Sequence, residues 1–546
     1  MPRRPRCLVL GAGPAGLIAL RELLAVGADV QLLERSDDLG GVYAAGRVYE
    51  GAVLTTSSNL TAFGCYPAPH PEAPAMWTTQ EYVAYLRAFA RANNLLPHIH
   101  FGRTVLEVRL QEGEGAAAVA VRSVATQRGS GGDDAKEMHY ADHVILATGL
   151  NTHAPSPHEV LPGAGTFTGE LLHSSALKSA EAQLAGRRVL VVGGGESGSD
   201  VSLLAARVAS SCCLSMRSGP GYIIPRTTYG LPSDIDTSRA YHSLPRWLMR
   251  RGALWHTVKL WLEGWCGAGA GGVEEARVLA AAQALNDARG RGPFERFGTK
   301  NTSLCAAAVR HGMRIATGVV ELDAAGARFA DGSRFDCDVV VLCTGFKLRL
   351  PFLESSHPTL AAAMVNGRNC LYLRAFHPDL GATLSACGLV RPGLGAIPPL
   401  AEMQARAIAG VVAGRLALPP PQAMRAAIAA TAAADARTYP DDAKRVAALT
   451  DYAPLMDALA GLLGVRPPST LKLLASGHWR LAWCVGAAGW RPMREGVAPL
   501  RPPARLFPPA PTAHTHTTGA CSSPASPARS SAWQAQAPAG RRRPLR

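Results

Sequence analysis

The stretch Arg187–Asp200, RRVLVVGGGESGSD, decides the fold of this chain. An apolar run, Val189–Val192, stops at Gly193, and a glycine-rich turn then opens into a predicted helix. The glycines fall as GxGxxG at Gly193, Gly195 and Gly198. In that spacing the first makes the tight turn, the second lets backbone approach a pyrophosphate, and the third lets helix pack on strand. One such turn is a weak signal. A near copy, LVLGAGPAG, stands at Leu8–Gly16, so the chain carries two candidate dinucleotide turns.

The residues downstream of each turn separate the two. In the first unit a strand at Cys7–Leu10 leads into Gly11-Ala12-Gly13-Pro14-Ala15-Gly16, a helix over Leu17–Val26 and a strand at Asp29–Leu33. Glu34 ends that strand, 18 residues after Gly16. A carboxylate there hydrogen-bonds the ribose hydroxyls of an adenosine. Arg35 comes next, then Gly40-Gly41-Val42, whose glycines let the backbone pass close to a cofactor. The second unit repeats the order: strand 188–192, turn, helix to about residue 209, strand Cys212–Met216. Its end is Arg217-Ser218, with Arg217 19 residues after Gly198. A carboxylate at this place repels a 2′-phosphate, whereas a guanidinium grips it bidentately. The first site therefore reads as FAD and the second as NADPH.

The predicted fold class is α/β, with two Rossmann-like dinucleotide-binding domains, the second inserted in the first, and a helical C-terminal region. The expected boundaries are 1–165 for the first part of the FAD domain and 166–335 for the NADPH domain with its insertion. The FAD domain returns over 336–420, a helical region covers 421–502, and a basic Pro/Ala/Arg-rich tail without structure covers 503–546. Within the NADPH region, Trp247, Trp255, Trp261 and Trp265 fall on predicted helices. The segment 219–310 is otherwise the least patterned part of the chain. A helix capped by Thr78 or Thr79, with Glu81 in its first turn, is expected to bury Tyr82, Leu86 and Phe89. ADHVILATG at 141–149 and DVVVLCTGF at 338–346 read as two buried strands with matching small-residue exits.

At 546 residues, 47% hydrophobic and 18% charged, the composition is that of a globular protein with a large core. The net charge of +15 comes mostly from the ends. Residues 501–546 hold seven Arg and no acid, and Arg3, Arg4 and Arg6 add three more, so the body carries about +5. That distribution argues against nucleic-acid binding. The 12 cysteines form no CxxC pair, so no metal site is expected, and reduced thiols fit a reducing compartment. No apolar run reaches the roughly 18–20 residues of a membrane span. The expected location is cytoplasmic, with a peripheral place on the endoplasmic reticulum membrane as the alternative.

Taken together, the motifs resemble those of the flavin-containing monooxygenases, a family of class B flavoprotein monooxygenases, over residues 6–500. The resemblance rests on GAGPAG at 11–16, ERSDDLGG at 34–41, FTGELLH at 167–173 and GGGESG at 193–198. MRSG at 216–219, FGTKN at 297–301, CTGF at 343–346 and EMQAR at 402–406 add to it. Disulfide reductases share the double GxGxxG, but they need a cysteine pair soon after the first unit, and here no cysteine follows Gly41 until Cys65. Two positions depart from the family pattern: Leu177 stands where an aromatic follows the motif histidine, and Thr55 stands where mammalian members carry an asparagine. A lone histidine such as His173 is expected to be structural.

The resemblance implies a reaction. NADPH reduces FAD, the reduced flavin adds oxygen as a peroxyflavin, and a soft nucleophilic N or S atom of a small molecule takes one oxygen atom. The protein supplies position, electrostatics and dryness. Thr55, Thr56 and Asn59 are the candidate flavin-side contacts, with Thr55 and Asn59 the candidates for a catalytic role. Ser197, Ser199 and Asp200 are the candidate contacts around the nicotinamide nucleotide. The expected partners are an amine or sulfide substrate, molecular oxygen and a second copy of the chain in a homodimer. Two other readings share these motifs: oxygenation of a carbonyl, as in Baeyer–Villiger or indole-pyruvate-type enzymes, and a flavoprotein that oxidises NADPH without oxygenating anything.

Overall fold

The computed structural model describes residues 3–44, 46–111, 118–125, 136–228, 230–234, 237, 272–288, 298–439 and 448–466. The four tryptophans from 247 to 265 and the 503–546 tail lie outside the described residues.

Two parallel sheets carry the chain. The first runs, edge to edge, Phe376–His377, Gly381–Ala386, His143–Leu146, Arg6–Leu10, Asp29–Leu33, Ile99–His100. Every neighbouring pair is parallel except the edge pair Phe376–His377 with Gly381–Ala386. The second runs Glu170–His173, Val339–Leu342, Arg188–Val192, Ser211–Ser215, Arg314–Ala316 and is parallel throughout. Parallel strands are buried on both faces, which is why Val189–Val192 and Val339–Leu342 read as unbroken apolar runs. The second sheet draws all its strands from 170–342, between strands of the first, so one unit is inserted in the other.

The two sheets repeat one plan. Each contains a strand, a glycine turn and a helix: Arg6–Leu10 with Pro14–Ala25, and, after the edge strand Glu170–His173, Arg188–Val192 with Glu196–Val208. Each adds its next strands on one side, then leaves the sheet for a three-stranded antiparallel meander. The meanders are Arg103–Gln111, Ala118–Ala125, Lys136–Ala141 and Val319–Leu322, Gly326–Phe329, Arg334–Asp336. Each then returns beside its first strand, through His143–Leu146 or Val339–Leu342.

That return corrects two expected boundaries. Val339–Leu342 lies between Glu170–His173 and Arg188–Val192, at the heart of the second sheet, so the first unit does not resume at 336. It resumes with Leu350 and Leu353, which pack with Leu8 and Leu10. Leu161 and Ala164 pack with Leu190 and Val192, so the second unit also begins before 166. Between Ile99–His100 and Arg103–Gln111, Gly102, at φ +65°, turns the chain into the meander.

The capped helix forms as its sequence requires. Thr78 accepts from the Glu81 N–H and Glu81 reaches back to the Thr78 N–H, a capping box that opens helix Thr79–Ala92. Tyr82, Leu86 and Phe89 are fully buried on it. The EMQAR motif lies on helix Ile397–Val412 and ties three segments together. Glu402 accepts from the Gly64 and Cys65 N–H groups and from Arg406. Gln404 accepts from the Gly388 N–H and donates to the Leu373 and Arg374 carbonyls. Of the predicted helical region 421–502, helices Pro421–Thr438 and Tyr452–Leu462 are present, and residues beyond 466 lie outside the described set. Among the described residues no helix is long and apolar enough to cross a membrane.

Candidate functional site

The first turn is shaped by backbone contact. Gly11 sits at φ +108°, and a Cβ there would lie 2.8 Å from the Ala147 carbonyl oxygen. A Cβ on Gly16 would lie 1.8 Å from the Gly11 carbonyl oxygen, far inside contact distance. Gly13 is different: the Cα of Gly41, at 3.7 Å, is the one atom within 4 Å of its Cβ position. The second turn repeats this. Gly193 has φ +111° and a Cβ position 2.6 Å from the Cys343 carbonyl oxygen. Gly198 meets the Gly193 carbonyl oxygen at 1.7 Å, and Gly195 meets nothing within 4 Å. So the matching ATG and CTG exits have a purpose: Ala147 and Cys343 press their carbonyls against the first glycine of each turn. In both turns the middle glycine is left open on the side where a phosphate would approach. The Thr148 hydroxyl, next to Gly11, is buried without a hydrogen-bond partner among the described residues. Open glycines at helix N-termini and an unspent hydroxyl fit a dinucleotide in each turn.

The two end-of-strand residues differ as their charges suggest. Glu34 is buried, its Oε2 accepting from the Ala12 N–H at 2.8 Å and its Oε1 from the Ser36 N–H at 2.9 Å and the Ser36 hydroxyl. Three donors leave about one of a carboxylate's four acceptor positions unspent. The carboxylate is therefore fixed against the turn itself. Arg35 and Val42 are exposed beside it, and Gly41, at φ +61°, lies against Gly13. Arg217 is exposed and has no carboxylate within ion-pair distance among the described residues, and Ser218 is exposed next to it.

Four predicted contacts make hydrogen bonds inside the protein. Ser199 is fully buried; its hydroxyl donates to the Asn301 carbonyl and accepts from the Leu304 N–H, so it faces helix Ser303–His311 and not a nucleotide. The Asp200 carboxylate is occupied by Arg226 at 2.9 Å, Asn301 at 2.7 Å and the Tyr49 hydroxyl at 3.0 Å. The Asn59 amide donates to the Pro71 carbonyl at 2.8 Å. Thr56 shares a hydrogen bond with Thr61 at 2.7 Å. Thr55, on strand Val53–Ser57, makes no side-chain hydrogen bond among the described residues. Ser197 bonds the Tyr49 hydroxyl.

His173 is structural. The Ser175 N–H donates to its Nδ1 at 3.2 Å, which leaves the proton on Nε2, 3.1 Å from the Gly345 carbonyl oxygen it donates to. Its ring stands edge-on to Phe346, and burial holds its pKa below the usual histidine value. The motif histidine thereby pins the exit of Glu170–His173 to the CTGF turn. Leu177, the other departure, is a fully buried member of the second unit's core.

The structure also assembles a polar cluster where the two units meet. Tyr49 of the first unit bonds Asp200 of the second, and the Ser57 N–H donates to Asp234 Oδ2 at 2.7 Å. Asp234 is buried and its Oδ1 has no hydrogen-bond partner among the described residues. Lys300, held below its usual pKa by burial, faces Asp234 and Glu196. Arg391 lies between Glu196 and Tyr43. Sequence reasoning picks out none of Tyr49, Glu196, Arg226, Asp234, Lys300 or Arg391 as a site residue. FGTKN marks Lys300 and Asn301 as part of a motif without a role, and GxGxxG spans Glu196 without requiring it.

Two similar glycine turns, each opening a helix beside its own parallel sheet, define a protein with two dinucleotide-binding units. Comparison with known proteins places it further. The family model described as flavin-binding monooxygenase-like matches residues 4–493. Human flavin-containing monooxygenase 5 is 30% identical over 487 residues, covering 85% of this chain and 84% of that protein. The 4-hydroxybenzoate brominase (decarboxylating) of Marinomonas mediterranea is 28% identical, covering 86% of each. Among solved structures, the S-allyl-L-cysteine S-oxygenase of Allium sativum superposes with a TM-score of 0.58 at 19% identity, over 87% of this chain and 92% of that one. The NADP+-bound cyclohexanone monooxygenase of Rhodococcus sp. Phi1 gives 0.58 at 20% identity, over 85% and 98%. The chain belongs to the flavin-binding monooxygenase-like family. It is an FAD- and NADPH-dependent monooxygenase that uses molecular oxygen and a small-molecule substrate.

Proposed function

We propose that the turn at Gly11–Gly16, with Pro14, Ala15, Glu34, Arg35, Gly41, Val42, Thr55 and Thr56, holds FAD. The turn at Gly193–Gly198, with Ser197, Arg217 and Ser218, holds NADPH. The observation that carries this reading is the contrast at the two strand ends. A buried carboxylate accepts hydrogen bonds at the first, and an exposed guanidinium without a described counter-ion stands at the second. When bound, the two cofactors supply hydride transfer and oxygen activation. This chain's part is to fix the turns, tie the two units through Tyr49–Asp200 and Ser57–Asp234, and present the flavin side through the Thr55–Ser57 strand. Asp200 acts here as the tie between units and positions Arg226 and Asn301.

The substrate in this reading is a small molecule with a soft N or S atom. His173 and Ser199 are spent on internal hydrogen bonds, so neither serves as a proton-transfer group. Oxygen transfer to a sulfide or tertiary amine asks chiefly for approach and exclusion of water. A product assay offering a thioether, a tertiary amine and a keto acid tests it: a sulfoxide or N-oxide is expected. Turnover of the keto acid alone would replace this reading with carbonyl oxygenation, and stoichiometric hydrogen peroxide without product would replace it with uncoupled oxidation. The nine described cysteines are free thiols, seven of them buried, which supports a cytoplasmic enzyme. A homodimer belongs to the same proposal and is checked by light scattering.

Arg217→Ala tests the nucleotide assignment. A charge-assisted contact is worth about 1.5–3 kcal/mol, so KM for NADPH should rise roughly tenfold to a hundredfold, while KM for NADH should hardly move. Equal changes for the two nucleotides would remove Arg217 from the 2′-phosphate site.

A further inference from the structure

Glu196 is the residue between the open Gly195 and the packed Gly198, in the first turn of the 13-residue helix Glu196–Val208. Its side chain turns inward. Oε1 accepts from the Lys300 backbone N–H at 2.6 Å. Oε2 is buried and has no hydrogen-bond partner among the described residues. An unpartnered carboxylate oxygen, out of water and beside a turn shaped for phosphate, opposes an anionic ligand. The same oxygen carrying a proton becomes a donor.

The charges around it do not neutralise it in place. Arg226, from the segment after Tyr222–Ile223, attracts it but is paired with Asp200 at 2.9 Å. Asp200, one turn along the same helix, repels it. Lys300, from the segment before helix Ser303–His311, attracts it, yet no ion pair within 4 Å joins the two. Arg391, from the returning first unit, faces it as well as Tyr43. Burial outweighs these attractions and pushes the Glu196 carboxyl up to about 7.

We propose that Glu196 couples nucleotide binding at this turn to the uptake of one proton, NADPH binding the form of the protein in which Glu196 is a neutral acid. The inference rests on the assignment of Gly193–Gly198 to NADPH. The proton comes from solvent and ends on the carboxyl; no bond to the nucleotide is made or broken. The sign comes from linkage. A bound diphosphate raises the Glu196 pKa further, so between the free and bound values binding takes up a proton and weakens as pH rises.

The test is the Kd of NADP+ for the FAD-loaded enzyme, measured by fluorescence titration from about pH 6 to pH 9, a window that brackets the free carboxyl. Wild type and Glu196→Gln should bind equally at the acid end. Above neutrality the wild-type Kd should rise by up to about tenfold per pH unit before levelling, while the glutamine variant stays flat. The nucleotide's own 2′-phosphate titrates near ~6 in both proteins, so the difference between the profiles isolates Glu196. Parallel profiles would overturn the inference. So would a Glu196→Gln Kd raised equally at every pH, which would make the carboxylate a plain acceptor for Lys300. Gly195→Val separates the two levels. If it leaves Kd unchanged, the assignment of this turn to NADPH fails. If it weakens binding at every pH while Glu196→Gln leaves the profile unaltered, the assignment stands and the proton coupling alone fails.

Discussion

Gly16→Ala should yield a protein purified without bound flavin, while Gly13→Ala should fold normally and bind flavin weakly. The two glycines are three residues apart and are asked to do different things. A methyl on Gly16 is placed 1.8 Å from the Gly11 carbonyl oxygen, which is backbone and cannot swing aside. The helix Pro14–Ala25 must then lift from its strand, at a cost on the order of 3 kcal/mol or more, and the turn that shapes the phosphate site is lost with it. A methyl on Gly13 meets only the Gly41 Cα at 3.7 Å, an ordinary contact. Its effect is felt when a cofactor arrives. The flavin-to-protein absorbance ratio and the unfolding midpoint, measured together, distinguish these outcomes. A Gly13→Ala variant that keeps wild-type flavin affinity would show that no phosphate approaches this glycine.

Asp435→Ala should lower stability by about 3–5 kcal/mol, the usual cost of breaking a buried ion pair from one side. Asp435 on helix Pro421–Thr438 pairs with Arg374, and both side chains are 3% exposed. Asp435 also accepts from the Asp451 N–H at 3.1 Å, so one carboxylate ties the 448–466 segment and the helix to the first unit. Arg374 in turn sits at φ +58°, held there by the Gln404 amide on its carbonyl. Removing Asp435 leaves the Arg374 guanidinium buried without its counter-charge. Urea unfolding followed by far-UV circular dichroism gives the change in midpoint. The double variant Arg374→Met/Asp435→Leu should recover most of the loss, because apolar groups of similar size need no partner. If the double variant is as unstable as the single one, the pair serves to fix geometry and charge burial is not the cause.

Much of this molecule is legible from its glycines and apolar runs. A turn that needs positive φ, or a helix that must touch a strand, makes its demand within six residues, so GxGxxG at 11–16 and 193–198 can be read without the rest of the chain. The capping box at Thr78 and Glu81 is local in the same way. Even the charge contrast between Glu34 and Arg217 is a matter of counting along a βαβ unit.

The remaining decisions needed partners from far along the chain. Ser199 and Asn301 are 102 residues apart, and Tyr49 and Asp200 are 151 apart. Whether a hydroxyl or carboxylate is spent inside the protein depends on such partners, and no pattern around residue 199 or 200 announces them. The same holds for Val339–Leu342, whose apolar run predicts a buried strand but not which sheet it joins. Two nucleotide turns of opposite character are written into the chain itself, because backbone conformation and glycine contact are local. Which polar groups meet between the two units is a property of the folded molecule, because hydrogen bonding within a fold is settled between segments that meet only after it has formed.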